Sequence, residues 1–449
     1  MAMSPGAGLQ RADHRVLLLA GDATAALVAV LIALWIWSLT TGFQFDAAFV
    51  VRWSVFLSLA PVWALLTAPS RQWRVGLSLE LTWRTLLMAG ASVGVAYLAV
   101  YFYASRTLLP RLPVLYFLWE AVLLTLAWRL CYLYALSRGV FSRRALVIGD
   151  EGTTARLALL LRKHSPDIDV VAVVDPSQSP EITPSLPDGG VSEVYLAHKS
   201  PLPPATVQAL IRWQEQGIEV VPMAVEYEQS LLRVPIADLP PDWMFASLPE
   251  WVRARATSRA FKRAMDVGAA AAGCVALAVL SPFIAFTIKM DSTGPVTFRQ
   301  RRIGAGGRVF SVIKFRTMVQ DAEVDGPRWA SKDDPRVTRV GRWLRRSRLD
   351  ELPQVLNVLR GDMAIVGPRP ERPEFAEQLE KQIPFYRTRL LLRPGLTGWA
   401  QVNAEYGDSV ADAALKLEYD LYYIKHRSVA FDLWIMLRTV GTVLRMGGQ

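Results

Sequence analysis

The chain has 449 residues, enough for two or three domains, and 52% of them are hydrophobic against 20% charged, a balance that points to membrane segments joined to water-soluble domains. A net charge of +10 suits nucleic acid, anionic lipid headgroups or phosphorylated small molecules alike. Only two cysteines, Cys131 and Cys274, lie in separate apolar runs, and the four histidines are scattered, which argues against a disulfide framework, a zinc site or a histidine-based metal site.

Residues 1–15 are short and basic, with Arg11 and Arg15. The apolar run over 16–39 exceeds what a bilayer crossing needs, although it contains Asp22, and it lacks a small-residue cleavage pattern, so it reads as a retained anchor. Further runs at 49–68, 85–103 and 113–136 complete a membrane α-helical bundle of four crossings within residues 1–140. Arg11, Arg15, Arg71, Arg74, Arg84, Arg138, Arg143 and Arg144 fall on one side of these crossings, against Arg106 and Arg111 on the other. By the positive-inside rule the N-terminus and everything after residue 137 face the cytoplasm. Asp22 is expected near that interface or paired within the bundle, ahead of a role as an intramembrane acid.

From Arg144 the pattern changes to strands and helices. A short apolar strand at 145–148 leads into Gly149-Asp150-Glu151-Gly152 and a helix to about residue 163, and a second strand at 170–174 ends at Asp175. Strands at 193–197 and 219–222, with a helix over 205–216 between them, complete a small Rossmann-like α/β domain over 141–225. One glycine of the dinucleotide fingerprint is missing, so a structural or regulatory role is preferred to cofactor binding. Residues 226–257, with prolines and mixed charge, read as a linker.

The run over 267–288 is long enough to cross a bilayer, yet Ser281-Pro282 interrupts it. Arg255, Arg259, Lys262 and Arg263 precede it, and Lys289, Arg299, Arg301 and Arg302 follow. Cationic flanks at both ends favour a helix that enters the membrane, breaks near Ser281-Pro282 and returns; the competing reading is a fifth crossing with a proline kink. Beyond it, strand spacing sets Lys314 and Arg316 on one face, suited to lipid headgroups near a membrane or to phosphates near a nucleotide.

The densest chemistry lies in Arg345-Arg346-Ser347-Arg348-Leu349-Asp350-Glu351-Leu352-Pro353-Gln354. Pro353 suits the first turn of a helix and Gly361 its end, so Asp350 and Glu351 fall at or just before a helix N-terminus, where amide donors and a positive dipole await an anion. Neighbouring side chains point in different directions, so one carboxylate could attack phosphorus while the other holds a divalent cation. The bland alternative is a solvated Asp-Glu pair. Pro368-Arg369-Pro370 holds one guanidinium in a rigid loop suited to bidentate phosphate contact, or forms a plain exit turn. Residues 393–403 form a tight polar loop, and 415–424 and 431–444 read as helices, the second amphipathic with Trp434, Arg438 and Arg445 and suited to the membrane interface or to packing on the core.

Residues from about 258 to 445 resemble the bacterial sugar transferases, the polyprenyl-phosphate hexose-1-phosphate transferases with a monotopic catalytic domain. The resemblance runs through residues 262–266, Ser281-Pro282, residues 314–318, 349–354 and 367–370, and 394–401. The stretches 372–375 and 419–425 are most similar to exopolysaccharide-associated members. It implies a monotopic α/β catalytic domain over 258–449 with a re-entrant helix at about 264–289, in the long form that adds four crossings and a Rossmann-like domain. Asp350 stands at the family's nucleophile position and Glu351 at its Mg2+ position. Arg345 matches a phosphate-binding arginine, and Arg369, between Pro368 and Pro370, lies in the loop linked to nucleotide recognition. Lys314, Arg316 and Gln401 fall in motifs near the same site. The implied donor is a UDP-sugar and the implied acceptor polyprenyl phosphate, at the cytoplasmic face of the bacterial inner membrane, with membrane lipid and no nucleic acid as partner. The bundle and middle domain offer surfaces for a homodimer. Two rivals remain at this point. A membrane-anchored nucleotide-sugar dehydratase or epimerase wants a Tyr-x-x-x-Lys pair, and the only one here, Tyr195 and Lys199, sits at a strand end. A non-catalytic scaffold for polysaccharide assembly is the other.

Overall fold

A computed structural model describes residues 11–68, 79–103, 112–137, 143–164, 168–175, 190–198, 202–239, 243–244, 256–320, 322, 334–404, 407 and 409–444. The chain divides into two compact units, Met1–Leu231 and Leu232–Gln449, the division falling inside the expected linker.

Unit 1 begins with helices α1 (Arg11–Thr41), α2 (Ala47–Arg52), α3 (Leu59–Thr67), α4 (Leu79–Tyr103) and α5 (Leu112–Ser137). Ala26, Ala29 and Ala33 of α1 are buried with Phe117 and Ala121 of α5, the small residues letting the helices approach closely. Leu27, Leu31 and Trp35 of α1 and Leu115, Trp119 and Leu123 of α5 point outward and exposed. Apolar side chains on both faces suit a lipid surrounding, and Val16–Thr41 and Leu112–Ala135 are long and apolar enough to cross a membrane. The expected second crossing, 49–68, is not one helix: α2 and α3 are separated by a 3-10 turn, Ser54–Ser58. Pro61 cannot donate to the carbonyl of Leu57, so a continuous helix would lack a bond there, and the chain tightens into i to i+3 bonds instead. Asp22 is paired: Arg129 Nη2 lies 2.7 Å from its Oδ2 and donates to the Thr67 carbonyl, joining α1, α3 and α5. Arg71, Arg74, Arg106, Arg111 and Arg138, on which the sidedness reading leans, lie outside the described residues.

The rest of unit 1 is an α/β layer structure of β1 (Arg143–Gly149), α6 (Glu151–His164), β2 (Ile168–Val174), β3 (Glu193–Ala197), α7 (Pro204–Glu215), β4 (Glu219–Pro222) and α8 (Met223–Leu231). Its sheet is parallel, in the order β2-β1-β3-β4. Leu157 and Leu161 of α6 pack on one face and Leu210 and Trp213 of α7 on the other, the doubly wound arrangement that alternating elements predict. A Cβ at Gly149 would stand 2.2 Å from the Ala197 carbonyl oxygen, so close strand packing alone requires this glycine. Asp150 accepts from the Thr153 amide at 3.2 Å, capping α6. Tyr195 is fully buried and donates to Glu193 at 2.6 Å, while Lys199 lies outside the described residues.

Unit 2 contains α9 (Ala256–Asp291), the antiparallel hairpin β5 (Thr297–Ile303) and β6 (Val309–Phe315), α10 (Arg339–Arg346), α11 (Val355–Arg360), β7 (Ala364–Val366), α12 (Pro373–Gln382), β8 (Gly395–Thr397), α13 (Trp399–Asn403), α14 (Val410–His426) and α15 (Val429–Leu444). Strand β7 pairs parallel with β8. Val358, Met363, Trp399, Leu417 and Ile435 centre the core, which takes in Val234 and Ile236 from the expected linker. The stretch Arg259–Asp291 of α9 is long and apolar enough to cross a membrane, and Val275, Val279, Phe283, Phe286 and Met290 are exposed along it. The helix does not end at Ser281-Pro282: Pro282 lies inside it, so α9 continues with the proline's donor missing from its bond ladder. Lys262 of α9 pairs with Asp266 at 2.8 Å and with Asp432 of α15 at 3.0 Å, and Arg263 donates to the Val358 and Leu359 carbonyls. Helix α15 buries Phe431 and Ile435 in the core and turns Leu433, Leu437 and Val440 outward; of its expected cations, Arg438 donates to Asn403 and Arg445 lies outside the described residues.

Candidate active site

Asp350 and Glu351 lie in a 3-10 turn, Leu349–Gln354, that runs directly into α11. Arg348 leads into the turn in the left-handed region, φ 58°, which reverses the chain after α10 and carries both carboxylates under β6. At the far end Gly361, φ 94°, closes α11 as the Pro353 and Gly361 signals predict. Asn357 fastens α11 to the hairpin, donating to the Ser311 carbonyl at 2.8 Å and accepting from the Ile313 amide at 3.2 Å. That attachment sets Lys314, the next residue on β6, over the turn.

The two carboxylates are both buried, 8% and 7% exposed, yet differ in surroundings. Glu351 is shared by two cations: Lys314 Nζ lies 2.8 Å from its Oε1, and Arg369 forks onto it, Nη2 at 2.7 Å from Oε1 and Nη1 at 3.4 Å from Oε2. Burial would raise the Glu351 pKa, but Arg369 and Lys314 outweigh it and hold the group well below the usual carboxylate range. Asp350 goes the other way. Burial, reinforced by the neighbouring Glu351 charge and opposed by Lys314, Arg345 and Arg369, pushes it up to about 6. Lys314 is lowered by burial against the pull of Glu351. Adjacent carboxylates with pKa values driven apart are equipped for different tasks.

Arg345, on the last turn of α10, donates through Nε to Thr317 Oγ1 at 3.0 Å. Arg369 arrives from the opposite side, on the loop after β7. Gly367, Gly395 and Gly398 let three backbones meet there: a Cβ on Gly395 would stand 2.2 Å from the Gly367 amide, and one on Gly398 would stand 2.2 Å from the Gly367 carbonyl. This close approach delivers Pro368-Arg369-Pro370 to the turn.

The structure thus gathers Asp350, Glu351, Lys314, Arg345, Arg369, Pro368 and Pro370. Arg316, beyond the end of β6, turns to the end of α9, where Nη2 donates to Ser292 O at 2.8 Å and Oγ at 2.9 Å. Gln401, on α13, donates to the Leu396 carbonyl at 3.2 Å, and Ser281 and Pro282 lie within α9. Sequence reading gave no role to Arg389, Asp420 and Tyr386; Arg389 bonds both of the others and the Arg369 carbonyl. Tyr386 and Arg389 share one 3-10 turn, but Asp420, though inside the 419–425 stretch, lies 31 positions from Arg389, so nothing local links it to them.

Among the described residues no group of three or more His, Cys, Asp or Glu side chains is set to hold a metal. Mg2+ does not need one, because it commonly takes one or two carboxylates and completes its shell with substrate phosphates and water. Glu351 supplies one ionised carboxylate, which suits such an ion, and Mg2+ there would share its oxygens with Lys314 and Arg369.

Comparison with known proteins matches the part of the chain that contains this site. Residues 257–446 match the family model described as Bacterial sugar transferase. The chain is similar to the UDP-N-acetylgalactosamine-undecaprenyl-phosphate N-acetylgalactosaminephosphotransferase of Aeromonas hydrophila, 46% identical over 186 residues, which are 41% of this chain and 43% of that protein. It is also similar to the UDP-glucose:undecaprenyl-phosphate glucose-1-phosphate transferase of Caulobacter vibrioides, 46% identical over 41% of this chain and 69% of the relative. The exopolysaccharide production protein PSS of Rhizobium leguminosarum bv. phaseoli is 41% identical over 41% of this chain and 96% of its own length. The chain thus spans less than half the length of the Aeromonas relative and nearly all of the Rhizobium one.

Proposed function

Since the chain belongs to the bacterial sugar transferase family, we propose that it transfers a sugar-1-phosphate from a UDP-sugar to polyprenyl phosphate, the step that initiates an exopolysaccharide or capsule repeat unit. The observation that carries this reading is the arrangement of three cations, Lys314, Arg345 and Arg369, around the Asp350-Glu351 turn. Phosphoryl transfer asks mainly for positioned positive charge where negative charge must converge.

In this mechanism an Asp350 carboxylate oxygen attacks the sugar-bearing phosphorus. A P–O bond forms, the bond to the bridging oxygen of the diphosphate breaks, and uridine monophosphate leaves with the electron pair. An oxygen of polyprenyl phosphate then attacks the same phosphorus and displaces the Asp350 carboxylate, giving a polyprenyl diphosphate sugar. Arg345 and Arg369 bind the diphosphate, Lys314 neutralises charge beside it, and Pro368 and Pro370 hold the nucleotide-facing loop. Glu351 would hold Mg2+, which when bound supplies further neutralisation of the diphosphate. The apolar outer face of α9 supports membrane association. With cationic flanks at both ends, it also supports a helix that enters and leaves from one side, keeping the site at the cytoplasmic face of the inner membrane. Arg316 and Gln401, carried over from the family motifs, take no step in this scheme, since Arg316 bonds Ser292 and Gln401 bonds the Leu396 carbonyl.

The test is intact mass of the purified protein mixed with Mg2+ and a panel of UDP-sugars, without lipid, for wild type and Asp350→Asn. A gain of one sugar phosphate, absent in the variant, is the expected result. Normal turnover on adding polyprenyl phosphate with no gain beforehand would mean direct transfer to lipid and would remove the nucleophile role from Asp350.

A further inference from the structure

The Pro368-Arg369-Pro370 loop has a problem of construction. Two of its three residues have no N–H, so it cannot brace itself with its own backbone bonds. Its carbonyls carry most of the fixing, and each of four in a row accepts one donor from elsewhere. Pro368 O accepts from the Gly395 amide at 2.9 Å and Glu371 O from the Ile303 amide at 2.9 Å. Between them Arg369 O accepts from Arg389 Nη2 at 3.0 Å and Pro370 O from Arg302 Nη1 at 3.1 Å. The outer two donors belong to backbone; the inner two are guanidinium groups.

Arg389 is itself immobilised. It is 9% exposed, its Nη1 donates to the Tyr386 hydroxyl at 2.7 Å, and its Nη2 also donates to Asp420 Oδ2 at 2.8 Å, from a fully buried position on α14. Burying a guanidinium and a carboxylate is expensive, and well-packed apolar residues would serve a purely structural purpose at least as well. Apolar residues could not donate to Arg369 O. The Arg369 side chain, by contrast, is 40% exposed and is not caged by packing. Where its guanidinium stands is set by its backbone and by Glu351.

We propose that Arg389 is a positioning residue for Arg369, anchored on Asp420 and Tyr386 and holding the loop at the setting from which the Arg369 guanidinium reaches Glu351 and an incoming diphosphate. The inference rests on the reading of the site given above. Arg389 touches no reacting atom in this scheme, and its influence passes through one carbonyl.

Arg389→Lys keeps a cation facing Asp420 but loses the planar fork that serves three partners at once. Two measurements on the full chain decide the matter. The first is a double-mutant cycle on kcat/KM for the UDP-sugar. Arg389→Lys lowers it about 10- to 100-fold when Arg369 is present, the scale expected for a small misplacement, and by less than about twofold in an Arg369→Ala background. An equal factor in both backgrounds overturns the proposal, because a residue that only stabilises the domain acts whether or not Arg369 is there. The second is hydrogen–deuterium exchange of the peptide spanning 367–372. Exchange rises in Arg389→Lys while the β1–β4 sheet is unchanged; loop exchange equal to wild type overturns the clamp. If Arg389→Lys does not fold, Asp420→Asn, which weakens the anchor while leaving Arg389 and Arg369 in place, is read in the same way. A wild-type protein that turns over no donor sinks the reaction assigned above, and loop exchange then decides the clamp by itself.

Discussion

Glu351 carries two cations on one carboxylate, and what it does follows from that sharing. Replacing it with Gln leaves Lys314 and Arg369 side by side without a counter-charge. A buried pair broken on one side costs about 3–5 kcal/mol; with Arg369 partly exposed, the lower end applies. We expect Glu351→Gln to lower the thermal midpoint in detergent and to reduce transfer at least about 100-fold, whereas a midpoint equal to wild type would mean that the cations are solvated and the pairing is incidental. Asp420 makes a separate, pH-dependent contribution. Burial, against the pull of Arg389, raises its carboxyl from the ordinary 3.8 to about 6. The folded chain therefore binds this proton more tightly than the unfolded chain. The resulting stabilisation is fully present below about pH 4 and is lost as pH rises through about 6. Asp420→Asn does not titrate, so between about pH 4 and 7 its stability relative to wild type should improve by about 2–3 kcal/mol. Parallel pH curves for the two proteins would remove Asp420 as a titrating group.

At the scale of elements, α9 and the α1–α5 pair make distinct demands. A continuous helix through Pro282 forgoes a backbone bond, a loss that in a soluble helix interior amounts to about 3 kcal/mol. Its persistence here makes sense if the proline shapes the path of the helix through lipid. In a chain lacking Cys131 and Cys274, single cysteines at Ser258 and Thr293, at either end of α9, should both react with an impermeant maleimide from the cytoplasmic side. Pro282→Ala should move one of them out of reach. Labelling from opposite sides in the unmodified helix would make α9 a crossing and defeat re-entry. In the bundle, Asp22 and Arg129 are buried partners joining α1 to α5. Asp22→Leu alone strands a guanidinium among apolar side chains and should destabilise by about 3 kcal/mol, while the double change Asp22→Leu with Arg129→Leu should recover most of that. A double variant no more stable than the single one would show that the hydrogen bond from Arg129 to the Thr67 carbonyl matters more than the pairing.

At the scale of the whole molecule, each unit has its own buried cores, and the family match lies entirely within Leu232–Gln449. The family match covers residues 257–446, and a Rhizobium relative is matched over nearly its full length by 192 residues of this chain, so residues 232–449 expressed alone should enter membranes and retain transfer within about tenfold of the full chain. Loss of all activity, with folding intact, would make unit 1 part of the catalytic machinery. Much of this organisation could be read along the chain. Apolar runs marked the three helices long and apolar enough to cross a membrane, because hydropathy is a local property, although the runs 49–68 and 85–103 give only shorter apolar helices; alternating strands and helices marked the parallel α/β sheet, because periodicity is local too. The Asp350-Glu351 turn announced itself through Pro353 and Gly361, since cap chemistry depends on neighbouring residues. The division of 49–68 ahead of Pro61, at Ser54–Ser58, was also open to reading, but overall apolarity masked it. Other features required the fold. That Lys314 and Arg369 converge on one carboxylate, that Arg316 turns instead to the end of α9, and that Arg389 braces the loop from Asp420 are relations between residues 18 to 37 positions apart or between separate elements. Sequence determined which residue types and local elements this protein has; only tertiary packing decided which charges share a low-dielectric space, and Coulomb energy depends on that distance and burial, not on separation along the chain.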